Sequence, residues 1–131
     1  MGEIKVRAFD KVAEKMYDVG YIDFANEVVQ VAMNKGGICY GTYVRRLKDV
    51  VLLQYTGLKD KEGNGIYEGD IVHMYSVMPG CDIDDIGIVK FIECAFLFEK
   101  ADGSDGWSIF NEATEIEVVG NIYENPELLK N

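Results

Sequence analysis

Between residues 3 and 10 the apolar Ile4, Val6 and Ala8 alternate with Lys5, Arg7 and Phe9, close to the two-residue period of a half-buried strand. This predicts a first strand over 3–10. Residues 10–15 are polar enough for a turn, and 15–19 return as the second arm of a hairpin before Gly20. Residues 21–33 carry two periods at once. Phe24, Val28, Val31 and Ala32 fit a helical stripe, whereas Tyr21, Val28, Val29 and Val31 favour strands. Because β-branched residues lose rotamer freedom in a helix, and Asn26-Glu27 reads as a short turn, we expect a second hairpin, with a short helix as the competing reading. Gly36-Gly37 closes the segment, and 38–48 mixes aromatic and basic residues without a clean period.

Downstream, the apolar run 50–56 ends at Gly57, and 60–65 is dense in turn formers, so a strand followed by a tight polar loop is predicted. Residues 66–77 resume the apolar pattern with Gly69-Asp70 interrupting it, a glycine placed where backbone angles closed to other residues are needed. We expect a strained turn there, opening a strand at Ile71. A loop over 79–85, strands over 87–93 and 95–100, an acidic turn over 102–106, and strands over 107–110 and 115–123 follow. Pro126 is placed to begin a one-turn helix that ends at Leu129. Short strands with glycine-rich turns predict a mainly β chain, built as a small barrel or sandwich.

Two segments are distinctive. One is Gln54-Tyr55-Thr56-Gly57-Leu58-Lys59-Asp60-Lys61 leading to Ile66-Tyr67-Glu68-Gly69-Asp70-Ile71-Val72. The other is Glu115-Ile116-Glu117-Val118-Val119-Gly120-Asn121-Ile122-Tyr123-Glu124-Asn125-Pro126-Glu127-Leu128-Leu129. With the opening Ile4-Lys5-Val6-Arg7-Ala8-Phe9-Asp10 they resemble the YopX family of small proteins carried by bacteriophages and prophages, over nearly the whole chain. The resemblance implies an SH3-like barrel in the C-terminal half, residues 50–131, behind a β-rich N-terminal part, residues 1–49, with both parts folded as one compact structural unit. It implies no activity. Segments 74–86 and 101–113 depart from the family pattern.

Composition narrows the function classes. The 131 residues suit one domain of ordinary size, and 48% hydrophobic with 27% charged residues is a globular balance. No apolar run approaches the roughly 18 residues of a membrane span, no basic-then-apolar leader opens the chain, and Val6 stands where a myristoylation signal wants Ser or Thr. The expected location is the cytoplasm of a bacterial host. Cys39, Cys81 and Cys94 are widely spaced, which speaks against a disulfide framework or a structural zinc site. With 13 Lys and Arg against 23 Asp and Glu the net charge is −10, opposite to what phosphate binding requires. Arg45, Arg46 and Lys48 form the one basic group to weigh.

Candidate chemistry is sparse. Asp60, Glu62, Asn64 and Gly65 imitate the start of a calcium loop, but Ile71 stands at the position of the closing glutamate. Asp82, Asp84, Gly87 and Glu93 fit a second such template, with Ile86 where a ligand belongs. His73 reads as a strand histidine facing solvent, with no nucleophile motif to serve. No cofactor, metal site or catalytic residue is therefore expected. Tyr55, Tyr67, Tyr75 and Tyr123 lie in or beside predicted strands; two or three sharing a face near Glu68 and Asp70 would make an aromatic groove with an acidic rim, suited to peptides. Tyr55, Tyr67, Glu68, Asp70 and Tyr123 are the candidate binding residues. The leading expectation is a non-enzymatic interaction module with a protein partner, self-association being one form of such contacts. An acidic mimic of DNA, a nucleic-acid-binding barrel and a hydrolase with paired acids are its rivals.

Overall fold

The computed structural model describes residues 5–35, 38–80, 82–109 and 114–129. Expectations resting on Glu3, Ile4, Gly36-Gly37, Cys81 and Phe110 fall outside these residues. The chain divides into two compact units, Met1–Gln54 and Tyr55–Asn131. Among the described residues the strands pair into two antiparallel sheets, ordered β4-β3-β2-β1-β5-β6 and β10-β9-β8-β7-β11 as they are defined below. Neither sheet closes into a barrel, which corrects the closed form expected over 50–123. On one side each sheet ends in a strand of only three residues, β6 (Gly65–Tyr67) and β10 (Gly106–Ser108), which offers few backbone groups for a closing ladder, and among the described residues none carries it on to a further strand.

In the first unit, β1 (Val6–Asp10) turns into β2 (Lys15–Asp23) around the Asp10 carboxylate, which accepts the N–H groups of Val12 and Ala13. Strand β2 does not stop before Gly20. It runs on with a bulge between Val19 and Tyr21, and the end of the Gln30 side chain lies against Gly20, where a Cβ would displace it. The hairpin expected over 21–33 forms between β2 and β3 (Val28–Lys35), not a helix. Its turn is fixed by Asp23, which accepts from the backbone and side-chain nitrogens of Asn26 at 3.1 and 2.8 Å. Next comes β4 (Ile38–Arg46), the edge strand, exposed along almost its whole length. With neither face buried, its sequence had no reason to alternate. A 3₁₀ turn, Leu47–Asp49, leads into β5 (Val50–Lys59), which pairs with β1 from Val50 to Gln54. Ala8, Tyr17, Val29, Val31 and Val50 form the core of this unit.

In a flat sheet β4 and β1 lie about 14 Å apart, across two intervening strands. Yet Arg45 of β4 donates to the fully buried Asp10 of β1 at 2.8 Å, so the sheet of this unit is strongly coiled. The right-handed twist of neighbouring strands accumulates in that direction.

In the second unit, β5 continues past Gly57, whose φ of +88° makes it a bulge within the strand rather than its end. There follow β6 (Gly65–Tyr67), β7 (Asp70–Ser76), β8 (Asp84–Ile92), β9 (Ala95–Lys100), β10 (Gly106–Ser108), β11 (Thr114–Asn121) and a 3₁₀ turn, Pro126–Leu129. Strand β8 starts at Asp84, within the expected loop, and β11 ends at Asn121. Ile66, Val72, Met74, Val89, Phe98 and Ile109 make the core. Trp107 closes it: its ring lies 5.1 Å from that of Phe98 and its indole N–H donates to the Met74 sulfur at 3.0 Å.

Candidate functional site

The second unit is shaped by polar residues that serve the backbone. Asp60, 7% exposed, accepts at one oxygen from the N–H groups of Glu62 and Asn64, and at the other from the Asn64 amide and the Val118 N–H of β11. Burial pushes its carboxyl up, but the Val118, Asn64 and Glu62 donors favour the charged form and hold it below the usual carboxylate range. Both oxygens of the first calcium template's leading acid are thus taken by N–H donors. In the second template Asp84 opens β8 and Glu93 lies in the turn just after its end, about 30 Å away at strand rise.

Gly69 has φ +86°, the backbone expected of a strained turn, and the buried Asp70 accepts the Tyr67 N–H at 2.8 Å inside that turn. Asn121 does similar work after β11, accepting from the N–H groups of Tyr123 and Glu124. Asn125 packs so closely on Gly120 that a Cβ there would lie 2.7 Å from its side-chain oxygen. The Gly69-Asp70 and Gly120-Asn121 motifs are therefore backbone devices.

Of the five candidate binding residues, the structure brings four together as two couples. Tyr55 and Tyr67 are opposite one another on β5 and β6, their rings 5.2 Å apart and tilted by 40°. Gly65 lies beneath both rings, where a Cβ would come within 3.1 Å of one and 3.2 Å of the other. Both tyrosines are half-buried, and Glu68 follows directly. Glu68 in turn adds its negative charge to burial in holding the Tyr123 hydroxyl above its ordinary pKa. Asp70 stands apart, since its carboxylate points into the turn.

Sequence reasoning missed a second cluster on the outer face of the five-stranded sheet. The ladders set Glu115 and Glu117 of β11 beside Tyr75 and His73 of β7, and these beside Asp84 and Ile86 of β8. His73 Nε2 lies 2.5 Å from Asp84 Oδ1, and its ring lies 5.2 Å from that of Tyr75, so the histidine has a partner. The Tyr75 hydroxyl donates to Glu115, while the Lys61 ammonium meets Glu117 at 3.0 Å. Contacts with Tyr75 and Glu117 raise Lys61 above the ordinary lysine range. The period-two spacing of 73 with 75 and 115 with 117 was visible in the chain, but the register joining them was not. Lys90 pairs with Glu99 on the same face at 2.7 Å, so cations interrupt its carboxylates.

The basic group in the first unit is divided. The Arg45 guanidinium is held by Asp10 and stacks over Tyr43 at 5.0 Å. Arg46 and Lys48 line an open depression of about 420 Å³ with Asn26, Glu27, Val28 and Leu47, where Glu27 offsets part of their charge.

Compared with known proteins, residues 5–130 match the family model described as "YopX protein". Protein EF1440 from Enterococcus faecalis is similar in structure at 22% identity with a TM-score of 0.59, the match covering 99% of this chain and 100% of that one. Protein yopX from Bacillus subtilis is similar at 23% identity with a TM-score of 0.61 and the same coverage of both chains. At these identities the likeness speaks for the fold alone. No curated protein matches the chain.

Proposed function

From the premise that this chain belongs to the YopX family, we infer that it acts by binding another protein and not by catalysis. The observation that carries this reading is the Tyr55–Tyr67 couple. Two half-buried aromatic rings, set at a fixed tilt over Gly65 and followed by Glu68, offer a rigid amphipathic surface with an acidic border. Tyrosine brings large contact area at small entropic loss, and it is enriched where proteins meet. With a net charge of −10, the fitting partner presents a basic or apolar segment, drawn in by complementary charge.

The backbone duties of Asp10, Asp60 and Asp70 support a fold-holding role for these carboxylates. The reading places the chain among proteins of bacteriophages and prophages, at work in the host cytoplasm; among the described residues no helix is long and apolar enough to cross a membrane. Its second unit is then an open relative of SH3-type barrels, with the β7-β8-β9-β10 meander in support.

The test compares proteins retained from a bacterial lysate by the immobilised wild-type chain with those retained by a Tyr67→Ala, Glu68→Lys variant of matched circular dichroism. A saturable partner lost by the variant is the expected result. Identical retention by both chains would refute this placing of the site.

A further inference from the structure

Sheet edges in this protein are treated unequally. Edges invite pairing with other chains, and proteins blunt them by shortness, charge, proline or bulges. Strands β6 and β10 are short, and β11 carries Glu115 and Glu117 with a bulge between Val118 and Gly120. Strand β4 is nine residues long without proline, and its two charges, Arg45 and Arg46, are gathered at one end, with Arg45 held by Asp10. It exposes Ile38 (61%), Tyr40 (66%), Tyr43 (43%) and Val44 (53%). Its one irregularity lies opposite Met33/Asn34, so the register from Gly41 to Arg46 is unbroken.

We propose that β4 pairs antiparallel with β4 of a second copy of this chain, about a two-fold axis at Tyr43. Two-fold antiparallel pairing keeps the faces of the two sheets continuous only if the axis passes through a residue, and the middle of the unbroken stretch offers Tyr43 or Val44. At Tyr43 the ladder sets Tyr43 against Tyr43, Thr42 against Val44, and Gly41 against Arg45. These are aromatic and β-branched pairs of the kind that stabilise sheets. Arg45, committed to Asp10, meets a residue without a side chain. The Arg45-Arg46 ends of the two strands lie at opposite ends of the ladder, so like charges are kept apart. An axis at Val44 would instead bring the two Arg45 residues closer together.

The area sets the strength. Since a buried tyrosine covers about 150–250 Å², the partly exposed side chains of two β4 strands cover on the order of 800 Å². Stable complexes begin near 1,200 Å², so the dimer is a weak one that forms at micromolar concentrations or above. Net charge opposes it, and salt therefore strengthens it. The inference rests on the first unit alone and is independent of the tyrosine couple of the second.

Sedimentation velocity from about 1 to 300 µM, bracketing this affinity range, tests it. The expected result is a monomer–dimer equilibrium strengthened by salt, with Val44→Lys raising the dimer Kd by about tenfold or more at unchanged circular dichroism. The register is read separately, with Cys39, Cys81 and Cys94 replaced by Ser. Chains bearing Thr42→Cys and chains bearing Val44→Cys should cross-link when mixed, and more slowly when either is alone, since paired residues of a ladder are within disulfide reach. A monomer throughout, a dimer indifferent to Val44→Lys, or equal cross-linking in mixed and separate samples would overturn the proposal. So would an acidic extended peptide, Ac-Glu-Val-Thr-Val-Thr-Glu-amide, binding a chain that stays monomeric, because it would make the edge a peptide site.

Discussion

Asp60 shows how a single carboxylate ties distant residues together. It joins the loop after β5 to Val118 of β11 through N–H donors on both oxygens. Asp60→Asn leaves one acceptor oxygen and turns an NH₂ group toward other donors, so a loss of about 2–3 kcal/mol is expected from the urea midpoint. Asp60 and Asp10 are both held below their ordinary values. For Asp10 burial raises the carboxyl, but the Arg45 guanidinium and the Ala13 and Val12 N–H groups outweigh it. A depressed folded pKa means stability that is present above the unfolded value, near 3.9, and lost as pH falls through the folded one. The thermal midpoint should therefore fall as pH drops below about 4, and Asp60→Asn should flatten that fall. An acid slope identical in both proteins would contradict the assignment. Gly69, at φ +86°, is the backbone counterpart. Gly69→Val should destabilise by roughly 1–3 kcal/mol, and an unchanged melting midpoint would show that the turn tolerates a side chain.

Among the elements, the β8–β9 hairpin carries an improvable turn. Ile92 pairs with Ala95, leaving Glu93 and Cys94 as a two-residue loop with φ values of +51° and +65°. That is the conformation Asn-Gly adopts most readily, whereas each side chain here meets a left-handed penalty of about 1 kcal/mol. The double change Glu93→Asn, Cys94→Gly should raise stability by about 1 kcal/mol without altering the denaturant slope. A lower urea midpoint would mean that Glu93 or Cys94 makes contacts outweighing the turn strain. The same hairpin explains why 87–93 read as a strand ending one residue late: nothing in Glu-Cys announces a turn.

For the whole molecule, charge is the governing property. A net −10 opposes a polyanion, and the best basic group is reduced because Arg45 is neutralised by Asp10. Gel-shift titration with single- and double-stranded DNA and RNA at about 150 mM salt should give no saturable complex. A micromolar complex weakened by Arg46→Glu and Lys48→Glu would move nucleic-acid binding to first place. These two residues are the proper probes, since reversing Arg45 would leave Asp10 buried and facing a like charge. The interleaving of Lys61 and Lys90 with Glu117 and Glu99 weighs against an unbroken DNA-like surface.

Local pattern alone settled the β class, the tight loop at Asp60 and the strained turn at Gly69, and favoured the hairpin over 21–33 against a short helix, because strand alternation and turn chemistry act within a few residues. It could not distinguish a glycine that ends a strand from one that bulges within it, as at Gly20 and Gly57, since that depends on what the partner strand places opposite. Nor did it show β4, whose irregular pattern reflects an edge exposed on both faces. Register belongs to tertiary structure in the same way. It set Tyr55 against Tyr67, gave His73 to Asp84, and coiled the first sheet until Arg45 met Asp10. Each of these is a meeting of residues far apart or on different strands, which pairing and twist decide and local composition does not.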